Sequence, residues 1–121
     1  MRRFFAFTLK GDWSQLDLLA DDLIYRPITE IVGAGEFEGP QRLRGYIEDF
    51  ESAWSGVTYE PTSIRAHGDT VIVRVELRGR GRRSGLELHA RVFQVFTLCA
   101  GEIVRIEDFV DHAQALAAAG A

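Results

Sequence analysis

Lysine is almost missing from this chain: Lys10 is the only one among fourteen basic residues. The rest are arginines, which reads as coding bias, because arginines with a recognition role would have to cluster on one surface. Cysteine is equally scarce. A lone Cys99 excludes an internal disulfide and fits a reducing cytoplasm; beside a turn it reads as a small buried apolar residue. The three histidines, His67, His89 and His112, are scattered without ligand spacing, so neither a metal nor a cofactor is expected. No apolar run approaches the roughly 20 residues of a membrane span. The run from Phe4 to Leu9 ends at Lys10 without a small-residue cleavage site, so it is not read as a signal peptide. A net charge of -4 argues against general nucleic-acid binding. Arg78, Arg80, Arg82 and Arg83 have no interleaved aromatics and read as a solvated hairpin.

What remains is ordinary globular material: 121 residues, 46% hydrophobic and 26% charged, enough for one domain spanning residues 1–121 with one core. A short helix is predicted over residues 2–9. A second begins at the capping pair Asp12 and Gln15 and buries Trp13, Leu16 and Leu19 before Asp21 and Asp22 end it. Leu23 to Ile28 is predicted as a short strand, confined to an edge or bulge by Pro27. A loop over 29–35 and a short extended piece from Glu36 to Gly39 follow. Pro40 then opens a helix in which Leu43, Ile47, Phe50 and Trp54 form one apolar stripe before Gly56 stops it.

The remainder reads as antiparallel β-structure. Strands are predicted over Val57–Ala66, Thr70–Arg80, Leu86–Leu98 and Glu102–Asp111, with turns at Gly68 and at Cys99 to Gly101, and His112–Ala119 closes the chain as a helix. Helices first and long strands later make the class α+β. Alternation puts Val71, Val73, Val75 and Leu77 on one face, with Leu86, Leu88, Ala90, Val92, Phe96 and Leu98 on the same face of the next strand. Arg74, Glu76, Arg78, Glu87, His89 and Arg91 take the opposite, wet face as cross-strand charge pairs. In the last strand Val104, Ile106, Asp108 and Val110 share a face that is apolar except for Asp108. A lone carboxylate among apolar neighbours has a raised pKa, which suits general acid/base work.

Five segments carry a family resemblance: Gly11-Asp12-Trp13, Leu18-Leu19-Ala20-Asp21-Asp22, Glu36-Phe37-Glu38-Gly39, Gly101-Glu102-Ile103-Val104-Arg105 and Asp111-His112-Ala113-Gln114-Ala115-Leu116. Together they resemble the SnoaL-like polyketide cyclase family of the nuclear transport factor 2-like superfamily. The resemblance implies a cone-shaped, curved antiparallel sheet wrapped around N-terminal helices and enclosing a pocket. It also implies a homodimer through the outer sheet face, where Phe93, Val95, Ile103 and Phe109 are expected. Glu107-Asp108-Phe109-Val110-Asp111 aligns without a gap with the last-strand motif of the limonene-1,2-epoxide hydrolase family, which places Asp108 on the acid/base position. Asp21-Asp22-Leu23-Ile24-Tyr25 matches the segment that carries that family's cavity tyrosine. The same alignment puts Pro27 where those hydrolases have Asn, and Val75 and Leu77 where they have Arg and Asp. The ketosteroid isomerase set, with two oxyanion donors beside a separate base, is also incomplete.

The resemblance therefore implies a small cytoplasmic enzyme acting without cofactor or metal on a hydrophobic, oxygenated metabolite. Asp108 is the expected acid/base and Tyr25 the hydrogen-bond donor. Phe50, Trp54, Val75, Leu77, Leu88, Ala90, Val92, Ile106 and Val110 are expected to line the substrate pocket. Isomerisation, cyclisation and epoxide opening all remain open, and so does a non-catalytic ligand-binding or dimerisation module of the same fold. Neither a nucleic acid nor a membrane is expected as a partner.

Overall fold

The computed structural model describes residues 19–27 and 36–120. The helices predicted before residue 19 and the loop over 29–35 lie outside the described residues. The described elements are β1 (Leu19–Arg26), β2 (Phe37–Glu38), α1 (Pro40–Ala53), β3 (Trp54–His67), β4 (Thr70–Gly81), β5 (Glu87–Cys99), β6 (Glu102–Phe109) and α2 (His112–Ala118). The six strands form one open sheet in the order β2-β1-β6-β5-β4-β3. All neighbours are antiparallel except β1 and β6, which run parallel. The class is α+β, as predicted.

The β3–β6 meander follows from its turns. Gly68 takes φ 59° between β3 and β4. Ala100 and Gly101 both adopt positive φ, 52° and 83°, between β5 and β6, the conformation that matches a tight hairpin to strand twist. Alternation then works as predicted on β4: Val71, Val73 and Val75 join the main core with Phe96, while Ile72 points to the other face. Arg74 and Glu76 also point away from the core. Arg74 Nε donates to Thr62 Oγ1 at 2.8 Å, and Glu76 pairs with Arg91 at 2.8 Å and His89 at 3.2 Å.

Several boundaries and orientations differ from expectation. First, β1 begins at Leu19, not Leu23, so Asp21 and Asp22 lie within a strand. The β1–β6 register shifts between Leu19 and Ile24, and this irregularity leaves both acids in solvent while Leu23 and Tyr25 enter the core. Second, α1 stops at Ala53, and Trp54 is already extended at φ -128°, ψ 145°. Trp54 opens β3 opposite Gly81, yet its ring stays 6.2 Å from Phe50, so the apolar stripe continues across the helix-to-strand junction. Third, a register shift between Thr97 and Leu98 leaves Val104 as an extra residue in β6, so the residues before it change face and Ile103 packs in the main core with Ile106 instead of on the outer face. Fourth, Cys99 is exposed at the end of β5, not buried.

The outer face is also not simply wet. Helix α2 folds back on it, and Ile72, Val95, Ala115 and Ala119 form a second buried cluster with Phe93 and Phe109 packed against it. The Phe93 ring stacks on His112 at 4.8 Å. Val95, expected at the centre of a dimer interface, is thus covered by the chain's own helix and is 1% exposed. The strand predicted to reach Asp111 stops at Phe109, because Asp111 caps α2. Its carboxylate accepts from the amides of Ala113 at 2.7 Å and Gln114 at 3.2 Å. The far end of the helix is held by Thr70, which donates to the Ala119 carbonyl, and by His67, bonded to the Gly120 carbonyl.

Removing the cap therefore loosens the cover of the outer face. Asp111→Ala is expected to lower stability by about 1 kcal/mol in urea unfolding, and Asp111→Asn, which keeps an accepting oxygen, by clearly less. Equal losses in the two variants would show that the cap is not what seats α2.

Candidate active site

Parallel pairing of β1 with β6 sets Tyr25 opposite Ile106, two residues from Asp108. On the other side of β6, Asp108 sits opposite Gln94 of β5. The three side chains meet. Tyr25 donates its hydroxyl hydrogen to Asp108 Oδ2 at 2.5 Å, and Gln94 donates from Nε2 to Oδ1 at 3.0 Å. They form the polar end of a cavity of about 120 Å³. Its walls are Tyr46, Ile47, Phe50 and Trp54 from α1 and the start of β3, Tyr59 from β3, Val75 and Leu77 from β4, and Leu88 and Val92 from β5. Tyr46 meets Tyr25 edge to face, with ring centroids 5.3 Å apart.

Comparison with known proteins identifies the family of the chain. The SnoaL-like domain family matches residues 1–106. The chain belongs to that family. Solved structures agree on the fold. An NTF2-like protein from Burkholderia thailandensis is 25% identical with a TM-score of 0.81, over 97% of this chain and 91% of that one. A candidate SnoaL-like polyketide cyclase from Jannaschia is 16% identical with a TM-score of 0.75, over 98% and 88%. A candidate isomerase from Bacillus subtilis is 22% identical with a TM-score of 0.73, also over 98% and 88%. No curated protein matches by sequence.

Within this SnoaL-like domain, eight residues named from the sequence line the cavity: Tyr25, Phe50, Trp54, Val75, Leu77, Leu88, Val92 and Asp108. Three others do not. Ile106 is packed into the core at 2% exposure beneath the site. Ala90 is half-buried opposite Leu77 and stays out of the cavity wall. Val110 lies beyond the end of β6 and is 49% exposed, because the strand stops at Phe109 and the chain turns to enter α2. Sequence reasoning missed Tyr46, Tyr59 and Gln94, and it read Ile47 as core stripe only. The signals were there: Gln94 lies between Val92 and Phe96 on an inward face, and Tyr46 lies three residues after Leu43 on the inner face of α1.

Electrostatics follow from burial. Desolvation lifts the Asp108 carboxyl to about 6, against the opposing pull of its hydrogen bonds from Tyr25 and Gln94. Burial, and then the neighbouring Asp108 charge, hold Tyr25 well above the ordinary phenol range. The same two causes push Tyr46 up to about 12. Tyr59 is raised by burial and by its contact with Glu51. At neutral pH the cavity thus combines one largely ionised carboxylate with three firmly protonated phenols. A larger concavity of about 420 Å³ lies at the ends of β3, β4 and β5, where Arg80 pairs with Glu87. It contains no comparable acid/base pair.

The raised carboxyl makes a prediction for stability. A group whose folded pKa lies above its unfolded value binds its proton more tightly in the native state, so its stabilising share is complete below the unfolded value of 3.8 and is lost as pH rises through about 6. That loss is on the order of 2 kcal/mol, discounted because the carboxyl opens onto the cavity. Asp108→Asn is expected to flatten this part of the pH–stability curve in chemical denaturation and to exceed the wild type in stability above about pH 7. A variant with the wild-type pH dependence would mean that Asp108 titrates as an ordinary surface acid.

Proposed function

We propose that this SnoaL-like domain is a cofactor-independent enzyme that moves a proton on a small, mostly apolar, oxygen-bearing ring compound, as an isomerase or cyclase does. The observation that carries this reading is the Asp108 carboxyl, hydrogen-bonded to the Tyr25 hydroxyl at the polar end of an otherwise apolar cavity. In this scheme a substrate carbonyl enters beside Tyr25 and takes over its hydrogen bond. Asp108 Oδ2, freed from that donor, becomes more basic and accepts the proton from the carbon next to the carbonyl. The negative charge that develops on the substrate oxygen is met by the phenol of Tyr25, which keeps its own proton. Gln94 holds the second carboxylate oxygen and fixes the direction of the first. Protonated Asp108 then returns the proton to a different carbon, which completes an isomerisation, or leaves an enolate placed to form a ring.

Hydrolysis of an epoxide is the less supported chemistry. A water held by Asp108 would need further partners, and Val75 and Leu77 occupy the facing β4 positions while Arg74 and Glu76 point outward. The same apolar positions favour the second reading, a binding module that releases its ligand unchanged.

The two readings separate in deuterium oxide. With cyclic ketones small enough for the cavity, the protein is expected to catalyse deuterium exchange next to the carbonyl, at a rate that rises with pH through about 6 and then levels. Asp108→Asn is expected to lower that rate roughly 100-fold or more, and Tyr25→Phe by a smaller factor. Exchange unaffected by Asp108→Asn, or ligands that bind and never exchange, would overturn the enzymatic reading.

A further inference from the structure

Five aromatic residues, Tyr25, Tyr46, Phe50, Trp54 and Tyr59, surround the cavity, and the only charged group among its described lining residues is Asp108. None of those lining residues is Arg, Lys or His. Every donor that the structure gives the carboxyl is neutral: the Tyr25 hydroxyl and the Gln94 amide. Aromatic rings present negative faces, and so the walls and the carboxylate favour charge of the same, positive sign. Among the described residues the carboxylate thus has no cationic partner, which leaves a buried charge unmatched, and the cavity has the room to receive that partner from outside.

We propose that this cavity binds a small alkylated ammonium ion, with its methyl groups against the aromatic walls and its charge beside Asp108. The apolar lining decides between kinds of cation. A primary ammonium would bring three N–H donors into walls that offer few acceptors, whereas a quaternary ammonium has none to satisfy. Its methyl groups match Ile47, Val75 and Leu77 as well as the rings. Size agrees, since the cavity of about 120 Å³ is near the about 150 Å³ that holds one benzene ring. The groups facing Asp108 come from four elements: Tyr25 from β1, Gln94 from β5, Tyr46 from α1 and, farther off, Tyr59 from β3 with its contact to Glu51 of α1. The three phenols among them are held above the ordinary phenol range, and the Asp108 carboxyl itself is lifted to about 6. The inference concerns the same cavity as the acid/base reading and does not depend on turnover.

The test is calorimetric titration with choline and with its neutral carbon isostere, in which a quaternary carbon replaces the nitrogen. At about pH 8 choline is expected to bind roughly 10-fold or more tightly than the isostere, and the preference is expected to shrink at about pH 5, where Asp108 is protonated. Asp108→Asn should reduce the preference at about pH 8 to near the level seen at about pH 5. Trp54→Leu should weaken choline several-fold and leave the isostere nearly unchanged. Equal affinity for the two ligands overturns the proposal, and so does the absence of binding by either at about 10 mM, near the weak end of specific affinities. Choline selectivity without any deuterium exchange would remove only the acid/base reading. Exchange without selectivity would remove only this one.

Discussion

The parallel pairing of β1 with β6 is the constraint on which the site depends. It is the one parallel junction in a sheet of otherwise antiparallel neighbours. Without it Tyr25 and Asp108, 83 residues apart in sequence, would not share a hydrogen bond. The junction also explains why the pair is perturbed. Leu23, Ile103 and Ile106 pack around it with almost no exposure, so the carboxyl and the phenol face each other in a medium that solvates their charged forms poorly. Packing and reactivity here have the same origin.

A second consequence concerns how the sheet uses its two faces. The inner face is divided. One part packs as a closed core around Val73 and Phe96, and the other opens into the cavity beyond Val75 and Leu77. The side chains that keep the cavity open are aromatic and anchored at both ends of the α1–β3 junction. The Phe50–Trp54 contact spans the point where helix becomes strand. Rigid rings with few rotatable bonds wall a void better than flexible aliphatic chains, which would collapse into it.

Much of this was legible in the sequence because it rests on period-two alternation over long strands. The β4 and β5 faces, apart from the exposed Leu86 before β5, and the inward Asp108 come from that pattern, and the amphipathic stripe of α1 comes from the helical period of 3.6. What failed came from places where the period breaks. The irregularity between Leu19 and Ile24 makes a strand of a segment whose acids read as a helix end, and the shift between Thr97 and Leu98 reverses Ile103. Neither leaves a local sign, since a bulge is decided by the pairing of two strands and not by one. The cover of Val95 by α2 was missed for a related reason: an Ala-rich helix has a weak apolar face, and only its cap at Asp111 and its ties to His67 and Thr70 direct it back over the sheet. Tyr46 and Gln94 differ. Their positions are readable from the helical and strand periods, and it is their contacts with Tyr25 and Asp108 that make them parts of a site.

The β3–β6 meander closes through short turns, so its contacts form between neighbours along the chain. Joining β1 to β6 closes a far longer loop and carries the larger entropic cost. The acid/base pair lies on that costly closure and nowhere else. A chain with its meander built but β1 undocked would hold most of its strands and the Gln94–Asp108 contact, but not the Tyr25–Asp108 pair. Ligand occupancy at Asp108 thus doubles as a measure of complete folding: anything that binds between Tyr25 and Asp108 stabilises the least local pairing of the sheet.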